Sequence, residues 1–158
     1  MTRALLLALI ALAAMSAACG KLFGPKQTTA AMQLHAAASL NPDDSGRPSP
    51  LRIRLYELKS TGAFNGQDFF SLYERDKDIL GPDLVAREEI QVEPGMEKNF
   101  TRTLSPDTKF LAVLAPYRNI ERAKWRASTE VRAGKTTPIA LDLDTLSVNL
   151  GPPPKTKK

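Results

Sequence analysis

In the stretch LRIRLYEL, Leu51 to Leu58, apolar Leu51, Ile53 and Leu55 alternate with Arg52 and Arg54. A period of two with charge on one side marks a strand that buries one face and wets the other. After Leu55 the apolar positions move to Tyr56 and Leu58, so a bulge or the strand end is expected there.

Upstream, Met32, Leu34, Ala36, Ala38 and Leu40 alternate with Gln33, His35 and Ser39, which predicts a first strand. Between the two strands lies NPDDSGRPSP, Asn41 to Pro50, with three prolines, a glycine, two aspartates and two serines. This composition excludes regular structure and reads as a loop. It is longer than the roughly 4 to 6 residues typical of connections, a length associated with functional loops. Its prolines at 42, 48 and 50 reduce the entropy lost on ordering, and rigid scaffolds commonly display binding loops in this way.

Downstream, NGQDFFSLYERDKDILGPD changes to a helical period through Phe69, Leu72, Tyr73, Asp76, Ile79 and Leu80. Asp68 stands at its start and Gly81-Pro82 at its end, so an amphipathic helix is inserted between strands. Leu84, Ala86, Ile90 and Val92 form the next strand, Pro94-Gly95 a turn, and Met96, Phe100 and Leu104 the strand after it. KFLAVLAPY, Lys109 to Tyr117, is apolar on both faces and predicts a central strand. RNIERAKWRA predicts a short helical turn before a further strand. The turn Ala133-Gly134-Lys135 then leads to a strand with Ile139, Leu141 and Leu143 inward, and Thr145 to Leu150 supplies a last one. Seven or eight short strands with turn residues between them predict an all-β antiparallel β-sandwich or barrel carrying one helix.

At the start, Met1-Thr-Arg3 and LLLALIALAAM form the basic and apolar regions of an export signal, too short to span a bilayer. Ser16, Ala17 and Ala18 fit a signal peptidase pocket. The small residues before Cys19 resemble the bacterial lipobox, in which the cysteine is acylated and becomes the first mature residue. The pattern departs from the usual lipobox at Ser16, where leucine is common, and ordinary signal-peptidase cleavage is the alternative. A lone cysteine in an oxidising compartment has no partner for a disulfide, which favours the anchor reading of Cys19. Gly20, where lipoproteins retained at the inner membrane carry aspartate, implies the outer membrane. The expected organisation is a signal peptide over residues 1–18, an acylated tether over 19–31, a sandwich over 32–150 and a disordered basic, proline-rich tail over 151–158.

Of the 158 residues, 22 are Lys or Arg and 17 Asp or Glu, a formal net charge of +5. The excess is dispersed apart from the tail KTKK, which argues against nucleic acid as a partner. His35, the only histidine, lies in a strand and reads as an exposed strand residue. Asp142 and Asp144 alternate with leucines and point to solvent. There is no cysteine pair for zinc, no phosphate-cradling glycine loop and no nucleophile elbow. The chain is therefore read as non-catalytic, with no cofactor, no metal and no small-molecule substrate.

The segments SLNPDDSGRPSPLRIRLYELKSTGAF, DFFSLYERDKDIL, the VEPG turn and FLAVLAPYRNIERAKWRA, in that order, resemble the TssJ (SciN, VasD) family of type VI secretion lipoproteins. The similarity runs over roughly Met32 to Leu150. It implies a transthyretin-like sandwich with an added helix, held under the outer membrane by lipid. It also implies a partner, the periplasmic C-terminal region of TssM, which joins TssL in an envelope-spanning complex. The family's partner contact maps onto Asn41, Pro42, Asp43, Asp44, Ser45, Gly46, Arg47 and Pro48. Asp43, Asp44 and Arg47 are the expected charged contacts, with Pro42, Gly46 and Pro48 setting backbone shape. The alternative is another envelope lipoprotein that binds glycan or lipopolysaccharide or serves as a pilotin.

Overall fold

The computed structural model describes residues 26–154, and in them eight strands form two four-stranded sheets. Strand β1 spans Thr29–Ala36, β2 Leu51–Leu58, β3 Leu84–Val92 and β4 Glu97–Thr103. Strand β5 spans Phe110–Leu114, β6 Arg126–Glu130, β7 Thr136–Leu143 and β8 Val148–Gly151. One sheet has the order β4-β1-β7-β8 and the other β3-β2-β5-β6. The core between them takes Met32 and Leu34 from β1, Leu51, Ile53 and Leu55 from β2, Leu111 and Val113 from β5, and Ile139, Leu141 and Leu143 from β7. Burial of each such side chain contributes about 1.5 to 3 kcal/mol.

The predicted sandwich is thus observed, with one ladder of opposite sense: β1 and β7 run parallel, while the other strand pairs are antiparallel. The connection from β6 to β7 crosses from one sheet to the other and inserts β7 beside β1. Alternation within a strand carries no sign of its direction, so this ladder is invisible in the pattern.

The slip in LRIRLYEL has a specific cause. Leu55 keeps the core phase, and Glu57, two residues on, is also buried, accepting hydrogen bonds from the Ser105 N–H at 3.0 Å and the Thr108 hydroxyl at 2.6 Å. Tyr56 and Leu58 lie on the other face of the same strand, which is covered in turn. Helix α1, Gly62–Gly66, and helix α2, Phe69–Leu80, pack Phe64, Leu72 and Leu80 there against Tyr56, Leu58, Ala112 and Leu114. The strand runs on through Leu58, and its irregular register sits between Glu57 and Leu58.

Helix α2 begins where Asp68 accepts a hydrogen bond from the Ser71 N–H at 3.0 Å, an N-cap of the expected type. Its buried face carries a carboxylate, Asp76. The Asp76 Oδ2 accepts from the Arg87 guanidinium at 2.8 Å, the Tyr56 hydroxyl at 2.9 Å and the Arg54 guanidinium at 3.2 Å. Arg54 also donates to the Tyr73 carbonyl at 2.6 Å, and the helix is locally non-helical at Arg75. Insertion of a side chain into the carbonyl ladder is a known cause of such kinks.

Boundaries differ from the expected ones at several points. The first strand starts at Thr29 rather than Met32 and ends at Ala36 rather than Leu40, so residues 29–31 belong to the domain and not to the tether. The reason is backbone pairing that polar threonine and small alanine do not advertise: Thr29 stands opposite Thr103 on one side and Thr136 on the other. Leu40 remains buried because the chain turns at Ala38-Ser39 and folds it back. The short helical turn expected within RNIERAKWRA is instead a series of turns leading into β6, and helix α1 was not foreseen. Gly151 pairs with Ala140 and closes β8, one residue into the segment expected as tail.

Candidate functional site

The connection between β1 and β2 is ordered by its own residues. Asn41 is buried and has a φ of +48°, a left-handed conformation that asparagine tolerates better than other side chains. Its main-chain N–H donates to the Thr145 carbonyl at 3.1 Å and its Nδ2 to the Pro50 carbonyl at 3.2 Å. Its Oδ1 accepts from the Arg118 N–H at 2.8 Å. One residue thereby joins both limbs of its own loop to two neighbouring connections. The Ser49 N–H, donating to the Leu40 carbonyl at 3.0 Å, closes the base.

Asp43 organises the tip. Its Oδ1 accepts from the Ser45 and Arg47 N–H groups, each at 2.9 Å, and its Oδ2 accepts from Arg47 Nε at 2.8 Å. The Asp43 N–H donates to the Arg47 carbonyl at 2.9 Å, and the Gly46 N–H donates to the Asp43 carbonyl at 2.8 Å. Gly46 has a φ of +78°, which a residue with a Cβ adopts only with strain. The Arg47 N–H and then the Arg47 guanidinium hold the Asp43 carboxyl below its usual range. Asp43 is thus committed to the loop's own shape, whereas Asp44, Ser45 and Pro48 are exposed and Pro42 half-buried.

Two further connections stand beside the loop. The Tyr117 hydroxyl, at the end of β5, donates to the Ser147 carbonyl at 2.7 Å and so ties the β5–β6 segment to the β7–β8 turn. Ser39 and Thr145 share a hydroxyl hydrogen bond of 2.6 Å. Between these elements lies a groove of about 440 Å³. Pro42, Asp43 and Asp44 form one wall, Arg118, Ile120 and Glu121 the other, and Leu146 adds apolar surface. The segment RNIERAKWRA carries part of the family resemblance, but residues 118–121 and Leu146 were not assigned to the site, because a polar run such as RNIER reads as any surface turn until the fold brings it next to Asn41.

The arrangement presents shape, exposed polar groups and a rigid backbone, which suits recognition of another macromolecule. Among the described residues no group of three or more His, Cys, Asp or Glu side chains is placed to hold a metal ion. His35 is exposed on β1, paired with Glu97 and Asp142 across the sheet. No helix of the described residues is long and apolar enough to cross a membrane. Cys19, the signal over 1–18, the tether up to residue 25 and the tail from 155 lie outside the described residues.

Comparison with known proteins places this geometry in context. Residues 28–146 match the model of the T6SS-SciN family, type VI secretion lipoproteins that include VasD, EvfM and TssJ. The chain is 38% identical to the T6SS lipoprotein TssJ1 from Pseudomonas aeruginosa, with a TM-score of 0.77, covering 81% of this chain and 98% of that one. Serratia marcescens Lip, a membrane-bound component of the type VI secretion system, shares 21% identity at a TM-score of 0.71, over 78% of this chain and 97% of its own. A chain in the structure described as the T6SS protein TssM C-terminal domain from EAEC shares 21% identity at a TM-score of 0.67, over 80% and 99% of the two chains. The latter two likenesses are likenesses of fold. No curated protein matches the chain significantly. With the family model spanning most of the sandwich and a structure of such a lipoprotein matching nearly end to end, this chain belongs to the T6SS-SciN (TssJ) family of type VI secretion lipoproteins.

Proposed function

We propose that this protein is a non-catalytic lipoprotein that binds the periplasmic C-terminal region of TssM. In doing so it fastens the envelope-spanning secretion complex, which includes TssL, to the outer membrane. The observation that supports the reading is that the pre-ordered 41–50 loop follows the end of β1 far from Thr28, where the described chain enters the sandwich. Thr28 is gripped at one end: the Leu104 N–H donates to its carbonyl at 2.9 Å and the Gly134 N–H to its hydroxyl at 2.9 Å. From there β1 runs 8 residues, about 27 Å at the usual rise per residue, and delivers the chain to the loop. In this reading the lipid at Cys19 and the partner at the loop lie beyond opposite ends of β1. A loop already held by Asn41 and Asp43 loses little further entropy on binding, which favours affinity.

The test is calorimetric titration of the non-acylated mature chain, residues 19–158, with the TssM periplasmic region of the same organism. Saturable binding is expected, and replacement of residues 41–50 by a short Gly-Ser linker should abolish it while the sandwich still melts cooperatively. Equal binding by the linker variant would remove the loop from the interface. Absence of binding by the unmodified chain would favour a glycan-binding or pilotin role instead.

Cys19→Ser is expected to shift the protein from the membrane fraction to the soluble periplasmic fraction and to stop secretion, with the melting temperature unchanged. Each buried acyl methylene contributes about 0.8 kcal/mol and firm attachment takes more than one chain, so loss of the acylated residue removes the anchor as a whole. Fractionation of this variant with the membrane would contradict the lipid anchor.

A further inference from the structure

The groove beside the loop has a composition that the protein as a whole does not. The chain carries a net +5, yet the lining holds Asp43, Asp44 and Glu121 against the single guanidinium of Arg118. Asp43 is already served by Arg47, and the Arg118 charge also acts on it. Asp44 and Glu121, both exposed and on opposite walls, have no cation within ion-pair distance among the described residues. Arg122, next along the chain, does not line the groove. In the same groove, Ile120 and Leu146 are only partly buried and offer an apolar surface. Asn41 directly precedes the first wall in the chain and its Oδ1 accepts from the Arg118 N–H of the second, so the two walls are linked before any partner arrives.

We infer that this groove seats an extended segment of the protein partner in which an apolar side chain rests on Ile120 and Leu146 and an adjacent lysine or arginine lies between Asp44 and Glu121. The inference rests on the partner reading above and names the chemistry that the partner must supply. Charge complementarity fits it: a cation placed between two carboxylates at a partly enclosed rim gains attraction from both, and dilute salt screens it only in part. An anionic segment would meet the opposite field. The groove volume is enough for one or two side chains, which matches a short anchor within a wider interface.

The experiment is the same titration of the mature chain with the TssM periplasmic region, performed at about 50 and 300 mM salt. Asp44→Lys with Glu121→Lys is expected to weaken binding at least tenfold at the lower salt and to abolish the loss of affinity that the unmodified chain shows on adding salt. Ile120→Asp should weaken binding as well, through the apolar contact. Thermal melts of each variant should stay close to the parent's, because Asp44 and Glu121 are exposed and Ile120 is only partly buried and belongs to neither core cluster. Reversal of the partner's matching lysine or arginine to glutamate should restore binding to the doubly reversed chain. If the doubly reversed chain binds as the parent does while the 41–50 linker variant does not, the groove inference is wrong and the loop reading stands. If the parent itself fails to bind, the partner reading falls and the groove inference with it.

Discussion

Asp76→Ala is expected to lower the unfolding free energy by about 3 kcal/mol, the scale for removing one member of a buried ionic cluster. In a domain of this size the corresponding fall in melting temperature is about 10 °C. The carboxylate is the acceptor for Arg54, Tyr56 and Arg87, and its side chain is only 6% exposed. Its removal would strand groups unequally. Arg87, 30% exposed, can turn to water, and Arg54 keeps Glu89 at 3.2 Å and the Tyr73 carbonyl. Tyr56 is wholly buried and loses its hydrogen-bond acceptor, which by itself costs about 1 to 3 kcal/mol. The helix that covers this face of the sheet would also lose its polar fastening to β2 and β3.

The same residue predicts an acid dependence. Burial alone would raise the Asp76 pKa, but hydrogen bonds from Arg87 and Tyr56, with the charges of Arg87 and Arg54, outweigh it and hold the carboxyl below its usual value. An unfolded aspartate titrates near 3.9, so the folded protein is the weaker proton binder below that point. The stabilisation is therefore complete above about pH 4 and is lost as pH falls through the depressed folded value. Urea melts at pH 7 and pH 3 should show a large gap between parent and variant at the first and a smaller one at the second. A difference below about 0.5 kcal/mol at pH 7, the level of an ordinary surface substitution, would show that the cluster is not a fastening.

Asn41→Ala is expected to weaken binding to the TssM region by tenfold or more. Alanine loses the side-chain bonds to Pro50 and Arg118 and must either hold a left-handed φ, at about 1 to 2 kcal/mol, or abandon it. The 118–121 segment would then be released from the loop, whose base and tip keep the Ser49–Leu40 and Asp43–Arg47 bonds, and binding would have to fix the two against each other again. Asn41→Asp retains an acceptor for the Arg118 N–H and lacks the donor to Pro50, so its affinity should fall between the two. Hydrogen exchange of the Arg118 amide gives a readout independent of the partner, with protection decreasing from asparagine through aspartate to alanine. Unchanged affinity together with unchanged Arg118 protection would remove Asn41 as the pin of the site.

Much of this molecule is legible in the chain because local periodicity reports local burial. LRIRLYEL, KFLAVLAPY and the Ile139-Leu141-Leu143 run each state which residues face the core, and Asp68 with Gly81-Pro82 brackets the helix. The loop from Asn41 to Pro50 is visible for the opposite reason, since prolines, glycine and aspartates cannot sustain a ladder. Family resemblance attached a role to that loop, though it could not separate residues that shape it from residues left free. The structure separates them by hydrogen bonding: Asp43 and Arg47 bind each other, and Asp44 does not join them.

The sequence by itself determined most of the strands, the longer inserted helix and the exposed loop, because each depends on neighbours within about ten residues, and it pointed to the family through the order of segments along the whole domain. Only the tertiary structure decided that β7 lies parallel to β1, that Tyr56 and Leu58 are covered by a helix, and that Asp76 is a buried acceptor for three side chains. It likewise decided that Arg118 to Glu121, some 70 residues from the loop, supply the second wall of its groove. These features rest on contacts between segments distant in the chain, and such contacts leave no period for a local pattern to carry.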